Sequence, residues 1–246
     1  VRVKEFDRCS LSHSLFTNNK AGAFNAESGT VVMVHNVTFQ NNVAMKFVKA
    51  ICFGGGMNLV QVSYCFVSKS SFIRNKVAYL GAGMYAIHGR VVSMYKVTFI
   101  NNYVSDDGGG VYVKHISNCS VAASHFIGNK AEYSGAGIYA AYSREMHMNQ
   151  VKFMNNFVSH TPVLESGGGG IRVLLVSKCF VSVSSFVGNK AKSGTGIFAL
   201  HGALVHVYKV KFIYNSFPGR YGYGSGIAVI GIQNCHVTLS SFILNR

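Results

Sequence analysis

Between the last residue of a glycine-rich turn and the next phenylalanine, this chain always counts 16 positions. The interval holds at all eight places where it can be measured, from Ala23 and Phe39 to Gly226 and Phe242. Each phenylalanine is followed three residues later by asparagine, in nine copies out of nine. The phenylalanines are Phe16, Phe39, Phe72, Phe99, Phe126, Phe153, Phe186, Phe212 and Phe242. Their asparagines are Asn19, Asn42, Asn75, Asn102, Asn129, Asn156, Asn189, Asn215 and Asn245. All variation in spacing falls between the asparagine and the next turn. A fixed segment alternating with a variable one reads as rigid strands joined by loops. Self-similarity at a period near 27 residues signals a stack of repeated units.

The fixed segment has strand periodicity. Directly after the turns stand Met57, Met84, Val111, Ile138, Ile171, Ile197 and Ile227, and two positions on come Leu59, Ala86, Val113, Ala140, Val173, Ala199 and Val229. This period of two, with one aliphatic face, predicts β-structure. A second strand is predicted before each phenylalanine, where the residue five positions earlier is always apolar. No stripe with a 3.6-residue period competes.

Each unit is therefore one coil of an all-β solenoid, a parallel β-helix of about nine coils. At the usual strand spacing, nine coils make a rod about 40 Å long. Like residues then stack on like: phenylalanine on phenylalanine in the core, and asparagine on asparagine as a buried amide ladder. The glycines supply positive φ or a corner too tight for a Cβ.

A finer period of two coils is superimposed. Seven residues before each phenylalanine the chain reads Cys9, Val32, Cys65, Val92, Cys119, Met146, Cys179, Val205 and Cys235. Two residues before it, serine alternates with valine. Cysteines two coils apart are about 9.6 Å from one another by strand spacing, too far for a disulfide. They read as small buried hydrophobes. Cys52 lies outside this column, in a loop.

"FxxN" alternating with Gly-Gly-x-aliphatic turns, as in Phe99 to Asn102 with Gly108 to Val111 and Phe126 to Asn129 with Gly135 to Ile138, resembles the repeat of chlamydial polymorphic outer-membrane proteins and related secreted β-helix repeats. The resemblance covers essentially the whole chain. It implies a right-handed β-helix that is secreted or surface-exposed, often an adhesin or a structural passenger. The chain opens without a leader and ends in mid-pattern at "SSFILNR", so residues 1–246 are expected to be one solenoid domain within a longer repeat protein.

Chemistry is sparse. The eight acids are scattered, and only Asp106 and Asp107 are adjacent; they read as the start of a turn, and no set of acids for glycoside chemistry can be assembled from sequence. His88 and His201 fall at equivalent sites four coils apart and cannot share a metal. There is no nucleophile elbow, phosphate loop or Cys/His metal spacing. The expectation is a protein that is not an enzyme and uses no cofactor.

Binding is better supported. Lys and Arg number 23 against 8 acids, a formal charge of +15, which points to an anionic partner. In odd coils the ladder asparagine is followed by Lys20, Lys76, Lys130 and Lys190, predicting a row of ammonium groups along one edge. Tyr85, Tyr112, Tyr139 and Phe198 form a column expected to face outward, toward sugars or a neighbouring rod. Longer loops at 43–53, 157–167 and 216–223 leave one edge in even coils and carry both prolines. Sequons stand at Asn36 and Asn118. No sequence-specific nucleic-acid motif and no membrane-spanning run are present. The reading is an extracellular structural scaffold that stacks with itself or with other matrix proteins and engages an acidic glycan or silica. A surface adhesin is the second reading and a carbohydrate-active enzyme the third.

Overall fold

A computed structural model describes residues 1–44, 53–159, 166–217 and 223–246. Three sheets run along the molecule, and every pairing between their strands is parallel and joins equivalent positions of neighbouring coils. One sheet is built from long strands such as Met57–Ser68, Met84–Tyr95 and Val111–Ala122. The second has nine strands of three residues centred on the repeated phenylalanine, such as Thr98–Ile100 and His125–Ile127. The third is formed by two-residue strands such as Lys76–Val77, Tyr103–Val104 and Lys130–Ala131. The β-solenoid is as expected. The two predicted strands of each coil, however, are usually one strand with a bend in it, and the phenylalanine lies within a further strand. A three-residue strand is too short to show alternation, and the bend carries no proline and rarely a glycine to mark it.

The bend is made by a left-handed residue, His115 in Val111–Ala122, with φ of +53°. Every positive-φ residue among the described residues except Gly22, which is shifted by one position, falls in one of four columns, one for each corner of the coil. Only the corner of Gly81, Gly108 and Gly135 is all glycine. At the others, Gln61, Lys96 or Asn101 takes the left-handed conformation, at roughly 1–3 kcal/mol per residue. The stacked neighbours above and below hold each corner in place.

The glycine turn divides its work. Gly135 has φ of +60°, and a Cβ there would lie 2.6 Å from the Ile138 carbonyl oxygen. Gly137 needs no unusual φ, but its Cβ would meet the Gly170 oxygen at 2.3 Å and the Phe153 ring at 2.8 Å. That ring belongs to a stack running from Phe16 to Phe242 with centroids 4.7 to 5.0 Å apart. Third-position glycines therefore exist because the phenylalanine ladder occupies the space.

The two-coil period has a hydrogen-bonding cause. Ser124 Oγ donates to the Ala122 carbonyl at 2.7 Å and accepts from the Val97 backbone N–H of the preceding coil at 3.0 Å. Ser70 and Ser184 do the same for Val37 and Val151. One serine thus satisfies corner amides of two coils, and the even coil is free to place valine in the core. Cys65, Cys119 and Cys179 are buried free thiols paired in register with Val92 and Met146, as expected. Burial pushes the thiols of Cys119 and Cys179 up to about 12. Cys52 lies outside the described residues, as do the central residues of the three long loops.

Candidate functional site

The lysine row forms, but lysines are only half of it. The strand register places Lys76 beside Tyr103, Tyr103 beside Lys130, and Lys130 beside Phe157; isolated bridges continue the column to Lys190 and Ser216. Lys76 Nζ lies 5.0 Å from the Tyr103 ring centre, and Lys130 Nζ lies 5.6 Å from it on the other side. Lys130 also sits 5.7 Å from the Phe157 ring. Cation–π attraction of this kind holds flexible side chains in place. Lysines two coils apart therefore stand about 9.6 Å apart by strand spacing, separated by a ring whose faces they cover. Lys20 is exposed at the start of the column, where Val43 of the next coil offers it no ring. The aromatic spacers were missed because they belong to even coils and never follow an "NK" pair.

The charge around this row is one-sided. Each coil contributes eight residues from the corner before its phenylalanine to the row itself, as in Lys69–Lys76 and Lys96–Tyr103. Across nine such octapeptides there are 11 Lys or Arg and no acid. Elsewhere acids neutralise cations. Glu27 receives Lys4 at 2.6 Å and Arg2 at 3.2 Å, and Glu145 receives Lys178 at 3.6 Å and His147 at 3.2 Å. Among the described residues every ion pair lies off the octapeptide face. The nearest carboxylate is Glu132 at its margin, which accepts a hydrogen bond from Tyr103 Oη; this bond raises the phenol's pKa.

A family description reading right handed beta helix region matches residues 1–158 and 79–217. The chain belongs to the right-handed β-helix family. No curated protein and no solved structure matches it. On this right-handed β-helix the octapeptide face is one continuous side, since each coil repeats the last in register.

The aromatic column Tyr85, Tyr112, Tyr139 and Phe198 does not face solvent, contrary to the sequence expectation. All four are buried, from 7 % exposed for Tyr139 to 0 % for Phe198. They point away from the phenylalanine ladder but are covered by Phe53, Leu80, Ile87 and Leu174, making a second small core. The loop segments that carry Phe53 and Leu80 fold back over the strands, which alternation within a strand cannot reveal. These rings are therefore unavailable to a partner.

Glu132 of the next coil is brought to the adjacent pair Asp106 and Asp107 beside this second core. Asp107 is largely buried. Burial first, and Asp106 next to it, push its carboxyl up to about 7, against the pull of the Arg172 guanidinium. Asp106 is itself raised, by burial and then by Glu132 of the next coil. Arg172 is buried in the aromatic column, its guanidinium carbon 5.5 Å from both the Tyr139 and Phe198 ring centres, and it donates to Ser134 Oγ. Of the two aspartates only Asp107 feels the pull of the buried guanidinium, and burial outweighs that pull.

His88 and His201 occupy bend positions of one column, as predicted, but His115 lies between them and stacks on His88 at 4.9 Å. Among the described residues no group of three or more His, Cys, Asp or Glu is arranged to hold a metal ion. The sequon residues Asn36 and Asn118 are both exposed. No described helix is long and apolar enough to cross a membrane.

Proposed function

We propose that this right-handed β-helix is an extracellular or cell-surface scaffold whose octapeptide face binds an extended polyanion. The observation that carries the reading is the absence of any acid among nine octapeptides that hold 11 cations. The Lys76, Lys130 and Lys190 row gives that face a fixed spacing. Because the rings of Tyr103 and Phe157 already order Lys76 and Lys130, less of their side-chain entropy is lost on binding. The rod itself is rigid, so a partner with repeating charge meets the same contact at every second coil. Acidic glycans and silica both offer such a surface. The exposed Asn36 and Asn118 fit a secreted chain. We treat the protein as non-enzymatic: among the described residues, the Asp106, Asp107 and Glu132 cluster sits beside Arg172 and a packed aromatic core.

Retention on immobilised heparin tests the reading. The chain should bind at roughly 50 mM salt and elute as salt rises, and the triple variant Lys76→Gln, Lys130→Gln, Lys190→Gln should lower the log–log salt slope by about 2. No retention at low salt would overturn it. The adhesin reading, suggested by the likeness to chlamydial surface repeats, would rest on the long loops of the even coils instead. In that case the triple variant would bind its receptor normally and loop trimming would abolish binding.

A further inference from the structure

Inside the acid-free face runs a second stripe that the lysines do not explain. The outward residue directly after each ladder phenylalanine is apolar in seven successive coils: Ile73, Ile100, Ile127, Met154, Val187, Ile213 and Ile243. The register sets them side by side without a break. The first six are partly exposed on the outer surface of the phenylalanine sheet, and Ile243 is exposed. At the usual strand spacing they form a straight ridge about 29 Å long. In the first two coils its positions are the polar Thr17 and Gln40. Cations flank both sides: Lys152 and Lys211 stand in the neighbouring outward column, Arg74 stands at the next corner, and the lysine row lies beyond it.

We propose that this face docks on an anionic lipid bilayer, with the ridge at the boundary of headgroups and acyl chains and the flanking cations on lipid phosphates. The inference deepens the anion-binding reading of the face and rests on it. Apolar residues bordered by cations, with no acid between, are the arrangement that binds the surface of an acidic membrane. A glycan or a mineral makes no use of aliphatic side chains. A second copy of this chain would bring two acid-free cationic faces together. Most of the ridge residues are β-branched and held in a sheet, so they lose little freedom on docking. Glu132, bonded by Tyr103, is the nearest carboxylate and lies at the margin, outside the ridge.

Vesicle flotation of the full 246-residue chain tests this. The chain should float with phosphatidylcholine vesicles that carry roughly 30 % phosphatidylserine and stay behind with pure phosphatidylcholine. The double variant Ile100→Thr, Ile127→Thr keeps the β-branched shape, so the fold should survive; it should lower lipid partition by about fivefold and leave heparin retention unchanged. Gln40→Ile lengthens the ridge and should raise partition. Heparin retention without flotation on the anionic vesicles overturns the lipid assignment and leaves the polyanion reading standing. Flotation that neither ridge variant alters overturns the role of the ridge. Loss of both heparin and vesicle binding in the wild-type chain overturns both readings.

Discussion

Asn102 Nδ2 donates to Asn129 Oδ1 at 2.9 Å, and the backbone N–H of Asn102 donates to the same oxygen at 3.1 Å. Asn129 in turn donates to Asn156 Oδ1 and to the Phe99 carbonyl, both at 3.0 Å. Two donors and two acceptor sites of one fully buried amide are thus all used. Removing the amide leaves partners unsatisfied on both sides. Asn129→Ala should destabilise the fold by about 2–5 kcal/mol. Asn129→Asp, which lacks both donors, should be at least as harmful at neutral pH. Urea denaturation checks both, and an unchanged midpoint would refute the ladder as a source of stability.

The third glycine of each turn is an equally strict position for a different reason. Gly137→Ala would place a Cβ against the Gly170 oxygen and the Phe153 ring. Neither can move without disturbing a stack that runs the length of the rod. The expected loss is on the order of 2–4 kcal/mol, read from the same denaturation curves. Ala136 stands one position earlier in the same turn. Ala136→Gly should cost only about 1 kcal/mol, mainly through added unfolded-state entropy.

How much of this was legible follows from where each side chain points. Phe126 and Asn129 face the axis, stack on their own kind and cannot vary, so they surface as an exact repeat. Serine at 124 and valine at 97 could be seen to alternate, but the bond between them could not. A second alternation escaped notice: Gly89 lies between Val62 and Ile116, and a Cβ there would meet Val62 O at 2.4 Å and Ile116 Cδ1 at 3.2 Å. The bend at His115 was hidden because stacking holds non-glycine residues left-handed. Tyr112 was misread because a strand pattern shows only which residues share a face. The cover supplied by Phe53 and Leu80 comes from loops of variable length. The lysine row was legible and its aromatic spacers were not, because Tyr103 and Phe157 follow the asparagine in coils whose other signals differ.

Asp107 makes stability depend on pH. Its carboxyl is raised in the folded state to about 7, so the folded chain holds this proton more tightly than the unfolded chain. The contribution is fully present below the unfolded carboxyl value, declines as pH rises from about 4, and is lost once pH passes about 7. Asp107→Asn removes the titration. Relative to wild type the variant should gain about 1–3 kcal/mol between pH 4 and pH 8, a difference visible in Tm measured across that range. A gap that stays constant with pH would rule out Asp107 as the titrating group.

Cys65, Cys119 and Cys179 are buried, and desolvation raises all three thiols. A thiol held this far above its ordinary value yields almost no thiolate at neutral pH. Brief alkylation of the native protein followed by mass spectrometry should leave these three unmodified. The same treatment in guanidinium should label them, and Cys235, which is exposed, should react in both conditions. Native labelling of Cys119 would mean that the solenoid opens on the timescale of the reaction.

The ring between two lysines supplies the most discriminating test of the anion-binding row. Tyr103→Leu removes no charge, yet it frees Lys76 and Lys130 from a ring that each approaches from opposite sides. Exposed cation–π contacts are worth about 0.5–1 kcal/mol each, so heparin affinity should fall by about two- to fivefold while the salt slope stays the same. Tyr103→Phe keeps the ring and loses only the hydroxyl's hydrogen bonds with Glu132 and Ser105. It should bind as tightly as wild type, or slightly better, because Glu132 is no longer held at the margin of the row. Equal affinity for all three proteins would show that the lysines act as independent, mobile charges and that the ring between them orders nothing.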